Sequence, residues 1–171
     1  MIGAAIGAFV SGIISDRIGR KPVILLADVF FSVGSIVMAF APNVNTLICG
    51  RVIIGFGVGI ASQVVPLYLS EMAPVQIRGK IVAFNIIAVV GAQVLAGIMA
   101  FLMRPNWRLM LGGISFVSMV QFSAMICMPE SPRWLGKEGR AEEQKRVIEK
   151  IYAPSYAEKA NEILMNEVKV L

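Results

Sequence analysis

A short charged segment at residues 12–21 separates two long apolar stretches near the start of the chain. Residues 1–14 contain no charge, and residues 23–41 contain one, Asp28. Stretches this apolar suit a lipid bilayer, and the basic residues of short connecting loops collect on its cytoplasmic side. The segment, which we call the basic hinge, contains Arg17, Arg20 and Lys21. It predicts a polytopic membrane protein whose chain turns at the cytoplasmic face.

The composition supports a membrane protein and argues against nucleic-acid binding. Of the 171 residues, 57% are hydrophobic and 16% are charged, whereas a soluble domain has about 45–50% and about 25%. Residues 1–128 contain eight basic and three acidic residues, so the whole net charge of +5 lies in the apolar part of the chain. A nucleic-acid binder needs a solvated basic face instead. We therefore expect no nucleic-acid partner.

The sequence lacks the residues that common catalytic and metal sites require. It contains no histidine and only two cysteines, Cys49 and Cys127. Zinc hydrolases and Ser-His-Asp triads need histidine, and two isolated cysteines indicate neither a metal site nor a disulfide framework. We expect a protein that is not an enzyme and that uses no metal and no cofactor.

Five apolar segments follow one another along the chain. They are roughly residues 1–14, 23–41, 46–69, 81–103 and 107–128. The last four reach the about 20 residues that a spanning helix needs, whereas the first reaches only ~21 Å at ~1.5 Å per residue. Basic loops at residues 15–22 and 70–80 place those loops and the tail in the cytoplasm. We predict an all-α integral membrane protein with a bundle at residues 1–128, and we expect a missing span before it.

The tail, residues 129–171, contains eight basic and eight acidic residues and differs from the apolar bundle. A charged helix is predicted at residues 137–152 and ends before Pro154. The Ser-Tyr-Ala-Glu sequence at residues 155–158 is typical of a capping box that opens a second helix. We expect two short amphipathic helices in a cytoplasmic linker. A partly disordered tail is the alternative.

Two charged side chains lie inside predicted spans, where an ionisable group costs several kcal/mol and usually marks a pathway or an ion pair. Arg51 lies five residues into the third segment, so its long side chain could also reach the outer interface. Asp28 lies in the second segment, and its structural alternatives are packing against the basic hinge or against a polar neighbour. Pro66, in the third segment, predicts a kink or the end of that span.

The fourth segment carries two amides, Asn85 and Gln93, in an otherwise apolar stretch. They are eight residues apart and so lie within ~80° of each other on a helix. Each amide offers a donor and an acceptor, which suits neutral hydroxyl groups of a substrate. Hydrogen bonding between helices is the alternative.

Charges of both signs flank the predicted cytoplasmic turns. Such groups can latch two helical bundles together in one state and release them in another. Anchoring in the headgroup region explains the basic members but not the acidic ones. The predicted inner-face gate consists of Asp16, Arg17, Arg20, Glu71, Arg78, Glu130 and Arg133.

Several motifs together resemble the sugar porters of the major facilitator superfamily. The basic hinge, Gly-x-x-x-Asp-Arg-x-Gly-Arg-Lys, resembles the loop between their second and third helices. Further resemblances are Gly50-Arg51, Pro66-x-Tyr68-x-x-Glu71, Arg78-Gly79-Lys80 and the Pro-Glu-Ser-Pro-Arg-Trp-Leu sequence at residues 129–135. The resemblance implies a partial six-helix bundle with five spans, corresponding to helices two to six of the amino-terminal half. The first helix and the carboxyl-terminal half would then be missing.

The resemblance also carries functional expectations. Ile86 stands where hexose and pentose porters usually have a glutamine, and together with Gln93 it resembles the proton-coupled myo-inositol branch. This implies a plasma-membrane secondary transporter for a cyclic polyol or sugar, myo-inositol favoured, that works by alternating access with proton symport. Gln93 and Asn85 would bind substrate, and Arg51 would pair with a proton-binding Asp of the missing first helix. A hexose facilitator, or a half-transporter, regulatory or incomplete product without transport of its own, is the alternative.

Overall fold

A computed structural model describes residues 2–74, 76–102 and 106–151. Within these ranges the chain forms seven α-helices joined by short connections. The helices are α1 (Ile2–Ile18), α2 (Arg20–Ala39), α3 (Val44–Met72), α4 (Arg78–Leu102), α5 (Trp107–Cys127), α6 (Pro132–Lys137) and α7 (Ala141–Ile151).

Four of these helices are long and apolar enough to cross a membrane. They are α2, α3, α4 and residues Arg108–Cys127 of α5. These match the four segments that met the spanning length in the sequence, so that prediction is confirmed. The first apolar segment forms the 17-residue α1, which extends beyond residue 14 to Ile18.

The basic hinge is shorter than the sequence predicted. The expected loop at residues 15–22 is helical except for Gly19, which separates α1 from α2. Gly19 has φ 107° and ψ 166°, a backbone conformation that is essentially restricted to glycine. The chain therefore reverses at one residue, and the hinge charges belong to the last turn of α1 and the first turn of α2.

Two other predicted boundaries are also wrong. The third span does not end at Pro66, because α3 continues through this residue to Met72. The predicted charged helix at residues 137–152 begins instead at Ala141, after a turn in which Gly139 has φ 75°. The second predicted tail helix, from residue 155, lies outside the described residues.

Helix α3 packs closely against both α1 and α2 at glycine positions. A Cβ atom on Gly59 would overlap the carbonyl oxygen of Ala4 in α1. On the other side, a Cβ on Gly50 would lie 3.0 Å from the carbonyl oxygen of Gly34 in α2. Small residues allow such backbone contacts between membrane helices, where van der Waals packing drives association.

The core lies where α2, α3 and α5 meet. Its apolar members are Val23, Ile24, Ala27, Ile60, Val64, Tyr68 and Met125. Helix α4 differs, since none of its described residues is buried and Gly91 and Gly97 face open space. The bundle therefore consists of four closely packed helices, α1, α2, α3 and α5, with α4 exposed along its length.

The close contact of α1 with α3 predicts a large difference between two glycine substitutions. Gly59→Val should lower the free energy of unfolding by about 1–3 kcal/mol, the usual cost of overpacking. Gly91→Val adds the same side chain in open space and should change it little. SDS titration in mixed micelles, followed by circular dichroism, measures both. Equal effects would contradict the close α1–α3 packing.

Candidate functional site

The buried guanidinium of Arg20 connects the inner ends of three helices. Its Nη2 donates to Oε1 of Glu71 at 3.0 Å, and its Nε lies 3.0 Å from Oε2 of the same carboxylate. Its Nη1 donates to the carbonyl oxygen of Ser15 at 3.0 Å, and Nη2 lies 3.2 Å from Oδ1 of Asp16. The side chains of Arg20 and Glu71 are only 9% and 6% exposed. One cation therefore joins α1, α2 and α3.

The carboxylate of Glu130 binds the amino-terminal end of α2. Its Oε1 accepts hydrogen bonds from the backbone N–H groups of Arg20 at 3.0 Å and of Lys21 at 3.1 Å. The N–H of Ser131 donates to the same oxygen at 2.9 Å. The unpaired N–H groups and the dipole of a helix amino terminus favour an anion there. Gly19 leaves the room, because a Cβ there would lie 2.6 Å from Oε2 of Glu130.

Further hydrogen bonds attach the segment after α5 to the bundle. The hydroxyl of Ser131 donates to Oε2 of Glu71. The indole N–H of Trp134 donates to the carbonyl oxygen of Asp16 at 3.1 Å, and the hydroxyl of Tyr68 donates to that of Pro129 at 2.7 Å. We call this set the inner-end network. Its side chains are Asp16, Arg20, Tyr68, Glu71, Glu130, Ser131 and Trp134.

The structure brings together four of the seven predicted gate residues. Asp16, Arg20, Glu71 and Glu130 all belong to the inner-end network, although Glu130 binds backbone N–H groups rather than a basic side chain. The other three lie outside it. Arg17 is exposed, and Arg78 and Arg133 are half-buried.

Sequence reasoning missed Tyr68, Ser131 and Trp134 as members of this network. Tyr68 and the Ser-Pro-Arg-Trp sequence that begins at Ser131 had been noted as motif positions only. Ser131 does carry a local signal, because Pro132 and a free backbone N–H two residues later are typical of a helix start. Its side chain accepts from the N–H of Trp134 at 3.4 Å and so caps α6.

The predicted substrate and coupling residues lie on two helices. Asn85 is half-buried and Gln93 is exposed on α4, and Arg51 is exposed on α3. Their exposure leaves all three side chains available for a ligand or for another helix.

Serine hydroxyls form a polar contact between α2 and α5 that sequence reasoning also missed. Ser32 donates to the hydroxyl of Ser118 at 3.0 Å, and Ser118 donates to the backbone carbonyl oxygen of Asp28 at 2.7 Å. The hydroxyls of Ser35 and Ser115 form a second pair. The three-residue spacing on both helices is the signal that was available. Asp28 thus has polar neighbours in the bundle and does not contact the basic hinge.

The inner-end network predicts a strong dependence of stability on Arg20. Arg20→Ala leaves the Glu71 carboxylate buried without its cation and should lower the free energy of unfolding by about 3–5 kcal/mol. Arg140→Ala removes a pair with Glu143 whose side chains are 50% and 49% exposed, so it should cost at most about 1 kcal/mol. Chemical unfolding in mixed micelles compares them. An Arg20 effect as small as that of Arg140 would show that the network does not hold the helices.

Comparison with known proteins places this arrangement in a family. The family model described as "Sugar (and other) transporter" matches residues 1–170. Inositol transporter 4 of Arabidopsis thaliana is 44% identical over 170 residues, covering 98% of this chain and 29% of that protein. The arabinose-proton symporter of Escherichia coli K12 is 42% identical, covering 99% of this chain and 36% of that protein. The human proton myo-inositol cotransporter is 34% identical, covering 97% and 26%.

Solved structures agree with the sequence relatives. The major facilitator superfamily proton:xylose symporter XylE, bound to 6-bromo-6-deoxy-D-glucose, matches with a TM-score of 0.90 at 27% identity, covering 98% of this chain and 41% of that chain. XylE from E. coli in a partially occluded inward open conformation also matches with a TM-score of 0.90. The chain spans about a third of the length of the curated relatives described above. It belongs to the sugar transporter family of the major facilitator superfamily.

Proposed function

We propose that this chain serves in the transport of a cyclic polyol or sugar, with myo-inositol favoured, by alternating access and with proton symport. The observation that carries the substrate class is the 44% identity to an inositol transporter across 98% of the chain. The printed names of two other relatives, a proton myo-inositol cotransporter and an arabinose-proton symporter, support proton coupling. Residues 1–128 would form the membrane bundle, and residues 129–171 a cytoplasmic linker in the plasma-membrane protein.

Substrate hydroxyls would be bound by the two amides of α4. Gln93 is exposed and Asn85 is half-buried on a helix with no buried residue among those described. An amide presents both a donor and an acceptor, so it matches a neutral hydroxyl without the desolvation cost of a charge. The aliphatic Ile86 next to Asn85 would remove one hydrogen-bonding position and favour a ring with apolar faces.

The inner-end network would form one half of an inner gate. Asp16, Arg20, Glu71 and Glu130 hold α1, α2, α3 and the segment after α5 as one body. Rocking of rigid bodies around a central site is the usual mode of alternating access. Arg17, Arg78 and Arg133 would complete the gate by contacting a facing bundle in the outward-open state.

Arg51 would link transport to the proton. It is an exposed cation in a helix that can cross the membrane, and intramembrane charges usually pair with one another along ion pathways. A carboxylate that binds Arg51 when ionised and releases it when protonated would couple the proton to the gate.

A chimera tests the substrate class. Replacing the matching segment of the E. coli arabinose-proton symporter with this chain should make labelled arabinose uptake into proteoliposomes more sensitive to myo-inositol than to glucose or xylose. The same graft from Inositol transporter 4 is the matched positive control. Stronger inhibition by glucose would refute the polyol preference and favour a hexose facilitator. Uptake of labelled myo-inositol by the 171-residue chain alone would refute the alternative of a chain without transport of its own.

Arg51 can be tested in the same chimera. Arg51→Ala should abolish accumulation driven by a proton gradient, because the coupling carboxylate loses its partner, while exchange of substrate at equal concentrations persists. Arg108→Ala removes an equal charge whose Nη2 donates to the carbonyl oxygen of Ala41 at 3.3 Å, and it should retain accumulation. Unchanged accumulation in the Arg51 variant would remove its coupling role.

A further inference from the structure

Asp28 is a buried carboxyl group in the middle of a membrane-spanning helix. The residue is only 1% exposed, and its Oδ2 has no hydrogen-bond partner among the described residues. Buried polar side chains are nearly always hydrogen-bonded, so a carboxyl oxygen without a partner requires an explanation. Asp28 has no part in the inner-end network or in the function proposed above.

The neighbouring hydroxyls do not provide that partner. Ser118 Oγ donates its proton to the backbone carbonyl oxygen of Asp28 and accepts one from Ser32. Ser35 Oγ pairs with Ser115 and lies within hydrogen-bond distance of the carbonyl oxygen of Ser32. Ser35 and Ser118 are 0% and 5% exposed. These hydroxyls join α2 to α5 around Asp28 but leave its carboxyl group unbonded.

Charged groups on the packed helices lie far from Asp28. On α2, Arg20 is eight residues away, about 12 Å along the helix. On α3, Gly57 contacts Ala27, and the ionisable residues of that helix are Cys49, Arg51, Tyr68 and Glu71. Since Gly57 marks the level of Asp28, Arg51 lies six residues, about 9 Å, towards the outer end, and its side chain is exposed.

The other two neighbours of α2 are similar. On α5, Ser118 marks the level of Asp28, and Arg108 and Cys127 lie ten and nine residues away. On α1, Asp16 and Arg17 lie at the inner end, where Asp16 pairs with Arg20. No cation of the described helices α1, α2, α3 and α5 is therefore placed to neutralise an ionised Asp28.

An ionised carboxylate without a partner is far costlier in an apolar interior than its neutral form, and such a group takes up a proton instead. We propose that Asp28 is a proton-binding site at the α2–α5 interface, distinct from Arg51 and its partner. The proton exchanges with water when α2 and α5 separate, because the hydroxyl pairs between these helices cover the carboxyl group. This inference does not depend on the substrate or the transport activity.

Infrared spectroscopy of the chain in lipid vesicles tests the proton directly. A protonated carboxyl group has a C=O stretching band that ionised carboxylates lack. We expect this band at neutral pH in the unmodified chain, and its complete loss in Asp28→Asn, which keeps the shape of the neutral acid. Glu71→Gln is the matched control and should retain the band, because Glu71 is paired with Arg20. A missing band in the unmodified chain, or a retained band in Asp28→Asn, would overturn the proposal.

A second measurement needs no variant. Dicyclohexylcarbodiimide reacts with a carboxyl group that brings its own proton, and mass spectrometry of peptides locates the adduct. We expect labelling at Asp28 at neutral pH and none at Glu71 or Glu130, whose carboxylates are ionised and hydrogen-bonded. Labelling at Asp28 should fall when the pH is raised. No labelling at Asp28, or protection by Na⁺ at constant pH, would overturn the proposal, the latter in favour of a cation site.

Discussion

The buried pair of Arg20 and Glu71 is the interaction on which the inner end of the bundle depends. Two charges taken out of water are stable only when their geometry and their further hydrogen bonds offset the desolvation cost. Here Arg20 also bonds the carbonyl oxygen of Ser15 and lies beside Asp16, while Glu71 also accepts from Ser131. Satisfying these two charges therefore fixes α1, α3 and the segment after α5 around the start of α2. The single-residue turn at Gly19 follows from the same requirement, since it brings the N–H groups of α2 to Glu130.

The contrast between α4 and the other long helices gives the bundle two functional parts. Glycine contacts hold α1 and α2 against α3, and serine hydroxyls join α2 to α5. These contacts are short and directional, so the four helices move together. Helix α4 has no buried residue among those described and carries both predicted substrate amides. A rigid body beside an exposed polar helix is the arrangement that a rocking mechanism requires.

The sequence predicted the membrane spans well because hydropathy and loop charge report directly on the bilayer. It predicted the ends of helices poorly, because charged residues such as Asp16 and Arg17 read as loop but are accommodated in a helix when partners satisfy them. Pro66 was predicted to kink or end α3, yet the helix continues to Met72. Four gate residues are brought together as opposite charges at inner turns should be. The binding of Glu130 to backbone N–H groups was not predictable, since it depends on how α5 and α2 meet in space.

Two buried carboxyl groups in neighbouring helices are treated in opposite ways. Glu71 is 7% exposed at the end of α3, where a cation, a hydroxyl and the nearby aqueous face keep it ionised. Asp28 is 1% exposed, has no cation within reach, and is surrounded by hydroxyls that bond one another. The first charge holds helices together permanently, whereas the second group is neutral only while its helices stay together. A protein that must couple protons to movement needs both kinds: a fixed pair to define the moving body, and a carboxyl group whose proton depends on how closely that body is packed.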